Sequence, residues 1–123
     1  MNAQQMQALT AVGTDVAAAL RRMGNDETIF HFCMETFLED KTMQQLNDAL
    51  ERNAWRDAFR AAHALKGMAG NMGFIPLMLS ASSLTELLRA ENTAELEAPA
   101  AQVKLDYSLL MDAIQQYFAC ATP

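Results

Sequence analysis

The sequence predicts an all-α protein, an antiparallel up-down four-helix bundle with a short extra helix or helices at the N-terminus. Three observations carry that expectation. β-branched residues are sparse while Ala, Leu, Met, Glu and Gln abound, a composition that favours helix over strand. Apolar residues recur at helical spacing through long stretches free of proline. Short turns join those stretches, as in up-down bundles.

Taken in order, residues 1–12 suit a short helix with Met6, Leu9 and Val12 on one side. Gly13-Thr14-Asp15 is a break followed by a capping residue. A second short helix runs from about Asp15 to Met23 on the stripe Val16, Leu20 and Met23, and Gly24 ends it. Asn25 or Asp26 caps a long helix reaching about Arg52, uninterrupted by proline or glycine, with Phe30, Cys33, Phe37, Thr42 or Met43, Leu46 and Leu50 at helical spacing. Asn53 marks a turn, and Trp55 to about Asn71 forms the next helix. Gly73 and Pro76 set the following turn, with Pro76 in the first turn of a helix from about Ile75 to Glu91. A polar connection, Asn92 to Ala98, leads to a last helix opened by Pro99 and running to about Ala119. Residues 1–12 are thus an N-terminal extension and 13–120 the bundle domain.

Size and charge narrow the function. A chain of 123 residues, 51% hydrophobic, with five glycines and three prolines, suits one domain with a real core. The formal net charge of −6 disfavours nucleic acid and anionic membrane surfaces, which want a basic footprint. Cys33 and Cys120 form neither a disulfide framework nor a zinc pattern. The N-terminus has no signal-peptide character, and no apolar run has the length of a membrane span. A cytoplasmic protein is expected.

One stretch breaks the helical rule twice. Within Ala62-His63-Ala64-Leu65-Lys66-Gly67-Met68-Ala69-Gly70-Asn71-Met72-Gly73, Gly67 and Gly70 each cost the helix about 1 kcal/mol relative to alanine. At roughly 100° per residue, positions 63, 67 and 70 share one side of the helix. With Ala58, Ala62, Leu65, Ala69 and Met72 turned to the core, His63 points to solvent. Phe59, Arg56 and Arg60 flank it, and Lys66 lies nearer the core edge. In an acidic chain this basic collar favours an anion, and a neutral imidazole is a competent nucleophile towards phosphorus. The blander alternatives are a plain surface histidine and glycines that mark tight helix packing. His31, among Phe30, Phe32 and Cys33 with neither glycine nor base beside it, is expected at the core edge.

The run Ala62-His63-Ala64-Leu65-Lys66-Gly67, followed by Asn71-Met72-Gly73, resembles the signature of histidine-containing phosphotransfer (HPt) domains. That signature is His-x-Leu-Lys-Gly with a glycine ten residues after the histidine. Leu20-Arg21-Arg22-Met23-Gly24-Asn25-Asp26, leading into Phe37-Leu38-Glu39, is similar to the family's N-terminal part, and the likeness spans about residues 13 to 118. It implies a bundle that relays phosphoryl groups between receiver-domain aspartates. By that likeness His63 is phosphorylated, Lys66 holds phosphoryl oxygens, Gly67 leaves room for the receiver, and Asn71 and Gly73 shape the helix end. Gly70 extends the bare strip.

Expected partners are the receiver domains of hybrid histidine kinases and response regulators, with neither nucleic acid nor membrane. No cofactor is expected; a divalent metal comes from the receiver. No nucleotide-binding loop is present, so the chain is expected to be a phosphocarrier, not an autokinase. Antiparallel pairing about Asn53 brings Lys41, Thr42, Met43 and Gln44 level with His63, so Met43, Gln44, Phe59, Arg60 and Gly70 are candidate docking residues. A non-catalytic module binding a receiver without transfer remains an alternative. The dimerising helices of a histidine kinase fit less well, because Ala64 replaces the acidic residue that usually follows the histidine there. A monomer is expected, since one bundle closes its own core.

Overall fold

The computed structural model describes residues 1–121. Seven α-helices follow one another there: α1 (Ala3–Thr10), α2 (Val16–Arg22), α3 (Glu27–Glu39), α4 (Thr42–Glu51), α5 (Trp55–Asn71), α6 (Ile75–Arg89) and α7 (Glu97–Ala119), with a 3₁₀ turn at Thr93–Glu95. No strand occurs among the described residues, so the all-α bundle predicted from composition and periodicity holds. Helix α4 packs on α5, α5 on α6 and α6 on α7, while α1 lies along α7. Phe30, Met34, Leu46, Leu65, Phe74, Leu77, Leu84, Val103 and Ile114 are fully buried between them. Helix α5 meets its neighbours through Ala58, Ala61, Ala62 and Ala69. Such small side chains let helix axes approach closely.

The long helix expected from Asp26 to Arg52 is two helices. Asp40 leaves the helical conformation (φ −70°, ψ 140°), and its carboxylate accepts the N–H of Thr42 at 2.8 Å. A short polar side chain that satisfies a freed backbone donor competes with helix continuation. The break needs neither glycine nor proline. It sets the phase of α4 so that Met43, Leu46 and Ala49 face the core. The last helix likewise begins at Glu97, two residues before Pro99. Proline is tolerated there because the first turn's N–H groups have no partner within the helix.

The N-terminal residues are tied down. Asn2 and Gln5 form a reciprocal capping box at the start of α1. The same two side chains donate to the end of α7: Asn2 to the Cys120 carbonyl at 2.8 Å and Gln5 to the Tyr117 carbonyl at 3.3 Å. The terminal ammonium of Met1 pairs with Glu27. His31 sits where the sequence put it, half-buried at the core edge, bonded through Nδ1 to the Tyr117 hydroxyl at 3.2 Å and through Nε2 to Glu35 at 3.0 Å.

One junction positions α2 relative to α5. Asp15 donates its N–H to the Gly73 carbonyl at 2.8 Å, and Thr14 pairs with Phe74 in a single antiparallel bridge. Gly73 has φ +73°, and a Cβ there would overlap the Asp15 carbonyl oxygen. Only glycine permits both the left-handed turn and this approach. The junction lays α2 across the end of α5.

Candidate functional site

Helix α5 presents His63 to solvent from the side opposite its alanine-rich seam. Among the described residues neither imidazole nitrogen has a hydrogen-bond partner. The ring instead lies on Phe59, one helical turn earlier, with centroids 5.9 Å apart and planes 12° from parallel. One turn later the helix is bare: a Cβ at Gly67 would meet open space. At Gly70 the nearest group is the Met78 thioether, whose Sδ would stand 3.4 Å from such a Cβ.

His63, Lys66, Gly67 and Gly70 line one hollow of about 370 Å³ together with Asn71, Met78 of α6 and Arg22 of α2. Arg22 reaches it because the Gly73 junction holds α2 there, and its Nη1 donates to the Asn71 carbonyl at 3.4 Å. Lys66 is half-buried and Arg22 exposed. Neither has a carboxylate partner among the described residues. The other arginines that make ion pairs nearby are committed, Arg60 to Asp57 at 3.7 Å and Arg89 to Glu86 at 3.4 Å. Two cations without a carboxylate partner among the described residues thus line the imidazole's own hollow, an arrangement suited to a bound dianion; Arg56, expected in the collar, is exposed and does not line it. No group of three or more His, Cys, Asp or Glu side chains among the described residues could hold a metal ion.

Several expected docking residues fall elsewhere. Met43 is 6% exposed, a core residue because the break at Asp40 turns it inward, so it offers no surface contact. Gln44 is exposed but lines a separate hollow with Leu38, Asn47 and Tyr107, which shares no residue with that of His63. Arg60 is exposed and paired with Asp57 on its own helix. Phe59 is half-buried, with one face on His63 and the guanidinium of Arg89 5.0 Å from its ring centroid.

Three residues at the site escaped the sequence reading: Arg22, Met78 and Arg89. Antiparallel pairing of α5 with α6 about the Gly73 turn sets Arg89 nearly level with Phe59. Arg22 had no such signal, since its place depends on the junction between Asp15 and Gly73.

A second, more apolar groove of about 510 Å³ adjoins the first. Met23, Phe32, Cys33, Phe37, Met68 and Met72 line it, and it shares Arg22 and Asn71 with the hollow of His63. Phe32 is 66% exposed at its edge.

A family model described as Hpt domain matches residues 34–117. The chain belongs to the Hpt domain family. Members of that family are phosphocarriers of phosphorelay signalling, not catalytic enzymes, and interact with receiver domains. No curated protein and no solved structure gives a significant match. No described helix is long and apolar enough to cross a membrane.

Proposed function

We propose that the chain is a phosphorelay intermediate in which His63 takes a phosphoryl group from the aspartate of one receiver domain and passes it to the aspartate of another. The observation that carries this is an exposed imidazole that, among the described residues, is free at both nitrogens and shares one hollow with two cations lacking a carboxylate partner.

The chemistry is balanced in both directions. The lone pair of one imidazole nitrogen attacks phosphorus in line with the acyl phosphate. The N–P bond forms as the P–O bond breaks, and the aspartate leaves as a carboxylate with that electron pair. The proton on the other ring nitrogen passes to solvent. Return transfer reverses each step. Charge spreads over the equatorial oxygens during transfer, and positioning with electrostatic stabilisation supplies the catalysis. Lys66 and Arg22, which line the hollow with His63, are the cations assigned here to those oxygens. The receiver brings the divalent metal, and the bare surface at Gly67 admits its loops.

The docking face runs from the hollow of His63 into the adjoining apolar groove. Phe32, Met23 and Met68 take the part that Met43 and Gln44 were expected to play. Methionine-rich surfaces adapt to more than one partner, as a relay between two receivers requires.

The test is incubation with a receiver carrying a labelled aspartyl phosphate. Acid-labile, base-stable label is expected on the wild-type chain and none on His63→Gln. Lys66→Ala is expected to slow labelling by about 100-fold, the lower end of the scale for losing one electrostatic stabiliser. Full labelling of His63→Gln sinks the proposal. Binding without transfer from any receiver points to a docking module instead.

A further inference from the structure

We propose that Phe59 is a positioning residue for the His63 imidazole, itself braced by Arg89 of the neighbouring helix. This inference rests on the relay reading above and adds to it a device that fixes the nucleophile. Three observations meet here. The Phe59 and His63 rings are parallel to within 12° at a centroid separation of 5.9 Å, inside the range of offset stacking. The Arg89 guanidinium carbon lies 5.0 Å from the Phe59 centroid, a cation–π contact. Glu86 holds that arginine through Nε at 3.4 Å.

The chemistry explains why a phenyl ring suits this place. An exposed histidine on a helix otherwise turns freely about a broad χ2 well. In-line attack needs a nitrogen lone pair aimed along the breaking bond, and misaimed nucleophiles lose rate steeply. A carboxylate partner would fix the ring, as Glu35 helps to do for His31, but would occupy a nitrogen. It would also set a negative charge beside the incoming phosphoryl group. Stacking restrains the ring plane and leaves both nitrogens free. Phe59 in turn is kept from swinging outward by Arg89, so a residue of α6 governs the aim of a side chain on α5. In this proposal Phe59 aims the nucleophile, where the sequence suggested a docking contact.

The experiment uses the full chain with Phe59→Leu, which keeps apolar bulk but removes the ring face, Phe59→Tyr, which restores it, and Arg89→Ala. Two quantities are read. The first is the NMR position of the His63 ring protons, with His31 in the same molecule as reference for an intact fold. The second is the rate of transfer from a phosphorylated receiver across receiver concentrations. Phe59→Leu is expected to move the His63 ring protons downfield, by loss of ring-current shielding, with His31 unchanged. It is also expected to lower the plateau rate about tenfold at an unchanged half-saturating concentration. Phe59→Tyr recovers both, and Arg89→Ala gives a smaller change in the same direction. A raised half-saturating concentration with an unchanged plateau makes Phe59 a docking contact and overturns the proposal. So do identical His63 resonances in wild type and Phe59→Leu. If the wild-type chain accepts no phosphoryl group from any receiver, the relay reading fails, while the ring-proton positions still decide whether the stack exists.

Discussion

A methyl group added at Gly67 would meet open space, one at Gly70 a movable methionine, and one at Gly73 the carbonyl oxygen of Asp15. The same substitution therefore has three different outcomes within six positions. Gly67→Ala is expected to stabilise the fold by up to about 1 kcal/mol, since alanine is the better helix former, and yet to slow transfer from a receiver by intruding on its approach. Gly70→Ala is expected to leave stability within about 1 kcal/mol of the wild type, helix propensity offsetting the push on Met78. Gly73→Ala is expected to cost about 1–3 kcal/mol, because strain at φ +73° and the overlap with Asp15 have no relief. It also loosens α2, and with it Arg22. Urea unfolding of the three variants, read beside their labelling rates, separates the glycine that serves docking from the one that serves the fold.

At the scale of elements, the break between α3 and α4 is the feature with the widest consequences. Asp40→Ala removes the acceptor of the Thr42 N–H and is expected to cost about 1 kcal/mol, the usual effect of a lost cap, measurable as a lowered denaturation midpoint. The break was not legible because the apolar period continues across it, from Phe37 to Leu46, with neither glycine nor proline to interrupt it. The turns at Asn53 and Gly73 were legible for the opposite reason. Both residues adopt left-handed conformations, φ 56° and φ 73°, and Asn and Gly announce such turns. The bare side of α5 was equally readable, because residues 63, 67 and 70 belong to one element and helical geometry alone relates them. Periodicity within one helix cannot tell which residues of α2 and α6 arrive beside it. Arg22 and Arg89 were missed for that reason, and Met43 was misplaced because its orientation depends on the phase set at Asp40.

For the whole molecule, residues 1–33 lie outside the matched family region, which begins at residue 34, yet they supply Arg22 to the hollow and buried Leu9 to the core. Its helices are anchored around Tyr117, whose hydroxyl bonds His31 and whose carbonyl receives Gln5. Burial, then the charges of Glu27 and Glu35, raise the ionisation of Tyr117 above its ordinary value near 10. Burial and then Asp40 do the same for Tyr107. The folded chain thus keeps these protons to higher pH than the unfolded chain. Their contribution to stability is complete below about pH 10 and is lost as pH rises through the folded-state values. Alkaline denaturation followed by circular dichroism should therefore steepen above pH 10, and Tyr117→Phe should flatten that slope. These residues tie α1 and α3 to α7, while on α5 the exposed imidazole of His63 is proposed to carry phosphate. The most direct test of that role is a phosphorus–proton correlation spectrum of the full chain after incubation with a phosphorylated receiver domain. A phosphoramidate signal correlated to the ring protons of His63, and absent from His63→Gln, is the expected result. A phosphoryl signal correlated to His31, or one that persists in His63→Gln, would contradict it.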